Sequence, residues 1–231
     1  GAVVLAPSAD RRGTNLLLRR PPRAIPARFG RSSFRRHREE AARQGLPVAV
    51  VERPELVRRW SDALTTLYID AYEHFYQMLK RLGYGDTCTW LQVMAEGRFE
   101  AVQCDFAVML SPGMFARYAI PDLRRLTDYL DYSLYHLDGT CQMRFLDLLR
   151  TLPRLNGIQW NPEPPAGSPV GWLDAFREIR KRGFCLYVSC ETVDEAVRIT
   201  RELGPDGLML VLPRFATLAE AEQAIAAIEK A

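Results

Sequence analysis

Apolar and polar positions follow a repeating order along the C-terminal half of the chain. Short apolar runs that turn polar at their last residues occupy residues 133–139, 155–161, 185–191 and 208–214. Between them, apolar residues recur at helical spacing over residues 142–150, 172–180 and 192–203. This alternation of short strands and helices is typical of βα units that build a parallel sheet.

Two further strands and two long helices are predicted before residue 133. The strands cover residues 86–93 and 102–110, and the helices cover residues 54–82 and 111–130. The second helix begins with Ser111 and Pro112, which suit an N-cap and a first helical turn. Pro121 is expected to kink or restart this helix, because proline cannot continue the backbone hydrogen bonding.

The fold class that this order predicts is α/β, and more closely a (βα)8 TIM-type barrel that is incomplete or degenerate at its N-terminus. About six strands can be counted from Trp90 onwards, whereas eight parallel strands close such a barrel. We therefore expect a barrel domain over residues 46–231. Residues 1–45 are expected to be an Arg- and Pro-rich lead-in, poorly ordered or a remnant of missing strands. An open strand edge needs a second chain to cover it, so a homodimer is an expected arrangement.

Charge changes this picture only near the N-terminus. The net charge of +3 is mild for 231 residues, but arginines crowd the first part of the chain. They are Arg11, Arg12, Arg19, Arg20, Arg23, Arg28, Arg31, Arg35, Arg36 and Arg38. Such clusters occur in nucleic-acid-binding arms and also in solvated lead-in segments. We favour the solvated segment and predict no nucleic-acid partner.

Cysteine usage and hydropathy bear on the cellular compartment. The 5 cysteines are an odd number without the spacing of a disulfide framework, and several fall inside predicted strands. Reduced thiols in a cytoplasmic protein are therefore expected. No stretch approaches the ~18 apolar residues that a transmembrane helix needs, so no membrane partner is predicted.

The run over residues 133–139 carries the strongest candidate chemistry. His136 and Asp138 lie two positions apart in a predicted strand, so both side chains point to the same face. Charge beneath a helix layer is costly, which favours the inward face at the strand tips, where parallel α/β folds place active sites. We predict both as catalytic, either as a general acid–base pair or as an aspartate that orients a substrate-binding histidine. In the alternative, both only hydrogen-bond loop backbone at the strand end.

Residues at the other strand ends are predicted to bind substrate. They are Trp90, Gln92, Asp105, Tyr135, Gln159, Trp160 and Arg214. Trp160 would form a wall against a planar ligand or belong to the core, and Arg214 would bind a carboxylate or lie at the surface. No metal is predicted, because the sequence lacks motifs such as HExxH or paired CxxC. His136 is the residue that a metal would use.

Three stretches in this order resemble the uroporphyrinogen decarboxylase superfamily, which also contains corrinoid-dependent and cobalamin-independent methyltransferases. They are residues 104–112 with Phe115, Ile120 and Pro121, residues 135–139, and residues 156–160. The resemblance extends over residues 51–231 and implies a (βα)8 barrel with a cup at the C-terminal ends of its strands. Zinc-binding members carry a His-x-Cys pair where this chain has His136 and Asp138, so zinc is not expected here.

The same resemblance implies two reactions. Methyl transfer involving a corrinoid or a small methylated substrate is the first hypothesis, and decarboxylation of a tetrapyrrole carboxylate is the alternative. No cofactor is expected to be bound covalently, and a partner corrinoid protein would dock over the mouth of the cup. A hypothesis of another class is a truncated, non-catalytic barrel that acts as a binding or assembly partner.

Overall fold

The computed structural model describes residues 1–7, 11–50, 54–165 and 167–231. These residues divide into two compact units. The first unit consists of Gly1–Leu64 and Met109–Ala119, and the second consists of Thr65–Val108 and Ile120–Ala231.

The first unit contains a small mixed sheet. Its strands are β1 (Ala2–Pro7), β2 (Thr14–Arg20) and β3 (Val48–Val50), with α1 (Ser33–Arg43) between the last two. Strand β1 is central and pairs antiparallel with β2 and parallel with β3. A buried cluster of Val3, Leu5, Ile25, Phe34 and Ala41 forms its core. Residues 1–45 thus hold two strands and a helix where the sequence led us to expect little regular structure, and the predicted boundary at residue 45 stays a prediction.

Two helical regions lie partly in each unit. They comprise α2 (Pro54–Arg81), and then α3 (Pro112–Met114), a π-helical turn (Phe115–Ala119) and α4 (Ile120–Tyr129) in succession. The predicted cap is confirmed, because the Ser111 hydroxyl accepts a hydrogen bond from the Met114 N–H at 3.3 Å. The predicted restart near Pro121 is confirmed as well, since a new α-helix begins at Ile120.

A hairpin and a parallel sheet form the strands of the second unit. The hairpin pairs β4 (Asp86–Cys88) with β5 (Met94–Glu96). The sheet contains β6 (Phe99–Gln103), β7 (Tyr132–Asp138), β8 (Gly157–Asn161), β9 (Cys185–Ser189) and β10 (Leu208–Val211). Its order is sequential, from β10 at one edge to β6 at the other, and every pairing is parallel.

Helices connect the strands of this sheet. They are α5 (Leu146–Leu149), α6 (Leu173–Lys181), α7 (Val193–Leu203) and α8 (Leu218–Glu229), with 3₁₀ turns at Asp105–Met109, Thr140–Phe145 and Pro169–Trp172. Helices α7 and α8 each begin with a capping box, in which Thr192 or Thr217 exchanges hydrogen bonds with a glutamate three residues later. These caps fix the residues at which α7 and α8 begin after the preceding strands.

The predicted (βα)8 barrel is wrong. The described residues form an open sheet of five parallel strands, whereas eight strands close a TIM-type barrel. One predicted strand accounts for part of the shortfall, because residues 86–93 turn back as a hairpin, with Gln92 at a φ of 60°. The strand predicted at residues 102–110 is β6, which ends earlier, since residues 105–109 form a 3₁₀ turn directly after it. The fold class remains α/β, but without barrel closure.

The two faces of the five-stranded sheet have different coverings. Alternate residues of β7 and β8, including Tyr135, Leu137 and Trp160, are buried on the helix side. On the other face, Leu91 from the β4–β5 turn packs with Ala101 and Tyr187, and the Tyr187 hydroxyl donates to the Leu91 carbonyl at 3.1 Å. The turn therefore lies over the face that presents His136 and Asp138.

Two findings bear on compartment. Across the described ranges, no helix has both the length and the apolarity needed to cross a membrane. All five cysteines are free thiols, as the sequence predicts: Cys88, Cys104, Cys141, Cys185 and Cys190.

Candidate functional site

Three side chains with metal-ligating atoms meet at the carboxyl edge of the five-stranded sheet. One donor atom each from Asp105, His136 and Asp138 lies within 4.8 Å of the other two, and we call this group the acceptor cluster. His136 and Asp138 share a face of β7 because they are two residues apart. Gln103 is the register partner of His136, the last pair between β6 and β7, and Asp105 follows two residues later at the start of the 3₁₀ turn. Strand register therefore joins residues that are far apart in sequence.

The hydrogen bonding of His136 leaves one ring nitrogen facing the carboxylates. Its Nδ1 hydrogen-bonds Gln159 Oε1, while Gln159 Nε2 donates to the Trp160 carbonyl at 3.1 Å. Since the Gln159 oxygen can only accept, Nδ1 carries a proton, and in the neutral ring Nε2 is then the nitrogen that holds the lone pair. Nε2 lies 3.9 Å from Asp138 Oδ1, which is too long for a hydrogen bond. The side chain of His136 is 11% exposed, so little water reaches it.

Asp138 is held by residues on both sides of its strand. Asn161, its register partner in β8, donates from Nδ2 to Asp138 Oδ1 at 2.7 Å. Gln142 donates to the Asp138 backbone carbonyl at 2.7 Å and accepts the Tyr135 hydroxyl proton at 2.8 Å. Burial, followed by the nearby charges of Cys104, Asp105 and Asp138, raises the pKa of Tyr135, so this hydroxyl remains a donor. Hydrogen bonds from Asn161 and Gln142 thus fix the side chain and the backbone carbonyl of Asp138.

The turn after β7 is tied to the loop after β8. Gly139 has a φ of +90°, a backbone conformation that residues other than glycine rarely adopt. Its N–H donates to the Asn161 carbonyl at 2.8 Å. The Glu163 carboxylate accepts from the Thr140 N–H at 2.6 Å and from the Thr140 hydroxyl at 2.9 Å. The first of these bonds is the main reason that the pKa of Glu163 is lowered. The edge next to the acceptor cluster is therefore fixed at two adjacent loops.

The electrostatics of the acceptor cluster are unbalanced. It brings together two carboxylates and an imidazole lone pair, and within the described residues no Lys or Arg forms an ion pair with Asp105 or Asp138. Converging lone pairs of this kind are stabilised by a cation. Two oxygen ligands and one nitrogen ligand suit Mn²⁺, Fe²⁺, Co²⁺ or Zn²⁺, and three protein ligands leave coordination positions for substrate or water.

Four of the other residues predicted for the substrate site lie at the acceptor cluster, in the β4–β5 turn or beyond the end of β10. Gln159 and Trp90 lie at the acceptor cluster, with the Trp90 ring edge-on to the His136 ring at 5.0 Å and 57% of Trp90 exposed. Gln92 is in the same β4–β5 turn, where its N–H donates to the Thr89 carbonyl at 3.0 Å. Arg214 is exposed beyond the end of β10.

Tyr135 and Trp160 lie on the opposite face of the sheet from His136. Tyr135 is fully buried, and Trp160 packs against Trp172 and Phe176 at ring distances of 5.4 Å each. Their positions follow from the two-residue period of a strand, which places 135 and 160 opposite 136 and 159. For Trp160, the structure gives the core position that the sequence left as an alternative.

Sequence reasoning overlooked three residues that support the site. They are Asn161, Gln142 and Glu163, whose contacts hold Asp138 and the adjoining turns. Asn161 could have been found from sequence, because it stands two residues after Gln159 and so shares its face. Gln142 and Glu163 lie in turns and loops, where spacing carries no such signal.

Comparison with known proteins gives one short likeness. A phosphoenolpyruvate guanylyltransferase of Rubrobacter xylanophilus is 49% identical over 53 residues, which are 23% of this chain and 26% of that enzyme. The chain thus spans about a quarter of the length of the curated relative that it matches. No family model matches the chain. No solved structure matches it either.

Proposed function

We propose that the carboxyl edge of the five-stranded sheet is an enzyme active site that binds a divalent cation and a small oxygen-bearing substrate. The single observation that carries this proposal is the acceptor cluster, in which two carboxylates and the Nε2 lone pair of His136 converge. A bound cation would polarise a substrate oxygen or lower the pKa of a bound water. Trp90, largely exposed beside His136, would pack against the substrate.

Methyl transfer is the reaction that we propose for this site. Its support is the order of the motifs around Asp105, His136 and Gln159, which resembles the uroporphyrinogen decarboxylase superfamily and its methyltransferases. In that reaction a small methylated compound would donate the methyl group and a corrinoid on a partner protein would accept it. Decarboxylation of a tetrapyrrole carboxylate is the alternative from the same resemblance. The free thiols of all five cysteines support a cytoplasmic setting.

Cobalt titration tests the cation site directly. We expect Co²⁺ to produce visible d–d absorption bands with the wild-type chain, and we expect His136→Ala to lose them. His74→Ala is the matched control, because His74 is exposed on α2 and contributes nothing to the cluster. Absence of bands with a folded wild-type chain, or bands that survive in His136→Ala, would contradict the proposal.

Methylcobalamin then separates the two reactions. Transfer of the methyl group from methylcobalamin to an added thiol, which leaves cob(I)alamin and is followed by absorbance, supports methyl transfer if it is lost in Asp138→Asn. Carbon dioxide release from a porphyrinogen carboxylate, lost in the same variant, supports decarboxylation. Cation binding with neither activity leaves the cation site standing and refutes both reactions.

A second candidate function rests on the first unit. It contains a cavity of about 190 Å³ lined by Pro26, Arg28, Arg36, His37, Glu39, Glu40 and Arg43. Glu40 is paired with Arg43 through two hydrogen bonds of 3.1 and 2.5 Å, and Arg36 donates to the Arg31 carbonyl, which is uncharged, so the positive charges of Arg28 and Arg36 can attract an anion. We infer that this cavity binds a phosphate-bearing ligand, in line with the likeness to a phosphoenolpyruvate guanylyltransferase.

Calorimetric titration with phosphoenolpyruvate and with GTP tests the second candidate. We expect binding of one or both by the wild-type chain and about 10-fold weaker binding by Arg28→Ala. Arg23→Ala, an exposed arginine outside the cavity lining, is the control and should bind like the wild type. Binding of neither compound would refute a phosphate site in this unit.

A further inference from the structure

Helix α2 presents its apolar residues outward. The sequence predicts a helix over residues 54–82, and among the described residues of α2 only Thr65 and Tyr76 are buried. The exposed apolar side chains are Val57, Trp60, Leu64, Leu67, Phe75, Met78 and Leu82, and they are between 39% and 68% exposed. With the exposed Ala71, they recur every three or four residues along one side of the helix, and we call them the apolar stripe.

Polar and aromatic contacts hold the opposite side of α2 in place. Within the second unit, the Tyr72 hydroxyl donates to the Phe99 carbonyl at 2.9 Å, and Glu73 accepts from Arg98 at 2.8 and 3.1 Å. The Tyr68 hydroxyl donates to Glu100 at 3.2 Å. From Tyr68 onwards the helix is therefore anchored by its polar side, which leaves the apolar residues of that part toward solvent.

The spacing of the apolar stripe matches a facing helix. Three- and four-residue steps place side chains on one side of a helix, as in helix pairs that interlock their side chains, and this stripe has two successive four-residue steps at its centre, from Leu67 to Phe75. The stripe offers on the order of 700 Å² of apolar side-chain surface, close to the ~800 Å² per partner that a specific interface buries. A surface of this size is uncommon on a monomeric protein.

The order of residues along the stripe identifies the partner. When a second copy of α2 is laid antiparallel, Val57 falls opposite Leu82, Trp60 opposite Met78, Leu64 opposite Phe75 and Leu67 opposite Ala71. Every apolar position then meets an apolar position around a two-fold axis between Leu67 and Ala71. Such self-complementarity is the property of an isologous dimer interface.

We propose that the chain forms a two-fold homodimer through antiparallel pairing of the apolar stripes of α2. The partner is a second copy of this chain, and the interface is independent of the acceptor cluster. Sedimentation equilibrium of the full chain, from nanomolar to tens of micromolar, should give a reversible monomer–dimer equilibrium.

Two single substitutions in the stripe test the surface. Leu67→Glu and Phe75→Glu each place two charges per dimer in the pairing, and each should raise the dimer dissociation constant about 100-fold or more. Both side chains are mostly exposed, so the variants should keep the circular dichroism spectrum and thermal unfolding of the wild type. Leu218→Glu, on the exposed start of α8, is the matched control and should leave dimerisation unchanged.

Each result of the sedimentation experiments either supports or overturns the dimer. A dimer that dissociates in both stripe variants and persists in Leu218→Glu supports the proposal. A wild-type chain that stays monomeric over the whole range overturns it. A folded Leu67→Glu variant that still dimerises, or association without a defined stoichiometry that neither stripe variant relieves, overturns it as well.

Discussion

Two clusters of charged residues in the second unit differ in how completely their charges are matched. In one, which we call the paired cluster, Glu73 accepts from Arg98 at 2.8 and 3.1 Å and from the Tyr129 hydroxyl at 2.5 Å. Arg98 also lies 3.7 Å from Asp131 and stacks over Tyr76 and Tyr129, at 4.7 and 5.4 Å from their ring centres. The acceptor cluster of Asp105, His136 and Asp138 has no such cation in the described chain.

The contrast is between a cluster whose charges are matched within the chain and the proposed cation site, whose carboxylates have no Lys or Arg partner among the described residues. Both clusters contain two carboxylates, but the paired cluster supplies its own cation and hydroxyl donor, so its interactions are complete without a ligand. The acceptor cluster supplies only lone pairs, apart from the Asn161 amide on Asp138. A site that lacks a countercharge costs folding free energy and is retained where a ligand provides the charge.

The largest expected effect comes from removing a ligand of the acceptor cluster. Asp138→Ala should weaken Co²⁺ binding about 100-fold, or about 2.7 kcal/mol, because one of three protein ligands is lost. Asp131→Ala, which removes a carboxylate of the paired cluster, should leave the affinity unchanged. Isothermal titration calorimetry of the two variants measures the difference, and equal losses would erase the distinction between the clusters.

Removing the cation of the paired cluster should chiefly affect stability. Arg98→Ala should lower the free energy of unfolding by about 2 kcal/mol, because Glu73 loses its partner and two aromatic rings lose a stacked guanidinium. Arg177→Ala is the control, since Arg177 makes its ion pairs with Asp174 and Glu202 at an exposed surface. It should cost less than about 1 kcal/mol. Urea unfolding gives both values, and a small loss in Arg98→Ala would mean that this cluster is held by other contacts.

A smaller effect is expected from the residue that orients His136. Gln159→Leu keeps the side-chain size but cannot accept the Nδ1 proton, so the ring and its tautomer are no longer fixed. Cation affinity should fall about 10-fold, as for other residues that position metal-bound histidines. Titration at two pH values tests this role. An affinity equal to that of the wild type would show that Gln159 does not orient the ring.

The smallest expected effect is the pH dependence of the paired cluster. Hydrogen bonds from Arg98, then from Tyr129 and Gln77, lower the pKa of Glu73 from 4.5 to about 2. Because the folded pKa lies below the unfolded one, the stabilisation is complete above about pH 4.5 and is lost as the pH falls through about 2. The carboxylate is 35% exposed, so solvent screening limits the contribution to about 1 kcal/mol. Urea unfolding of Glu73→Gln against the wild type from pH 6 to 2 isolates it, and parallel curves would refute the assignment.

The sequence predicted local structure better than long-range closure. Apolar runs predicted β7 to β10 correctly, because a parallel strand buried on both faces is a continuous run of apolar residues in the sequence. The β4–β5 hairpin was missed because Gln92 adopts a positive φ, which is uncommon for a residue other than glycine. The number of strands in the sheet depends on pairings between distant segments, and hydrophobic periodicity carries no information about them.

The candidate site was predicted in part for the same reason. The two-residue period brought His136 and Asp138 to one face, and the structure agrees. The same period, applied strictly, would have assigned Tyr135 and Trp160 to the other face, where they lie. The approach of Asp105 depends on the register of β6 with β7 and could not be read from spacing. The prediction of no metal was based on sequence motifs and stays a prediction, while the three side chains with ligand-type atoms come together only in three dimensions.

The sequential strand order has a consequence for how the chain folds during synthesis. Each strand of the five-stranded sheet pairs with the strand made just before it, so its contacts span short stretches of chain. Such local contacts form quickly, and the sheet can grow one strand at a time as it leaves the ribosome. Asp105, His136, Asp138 and Gln159 all belong to the first three strands or their ends. We expect the acceptor cluster to be assembled on the nascent chain before β9 and β10 have been translated.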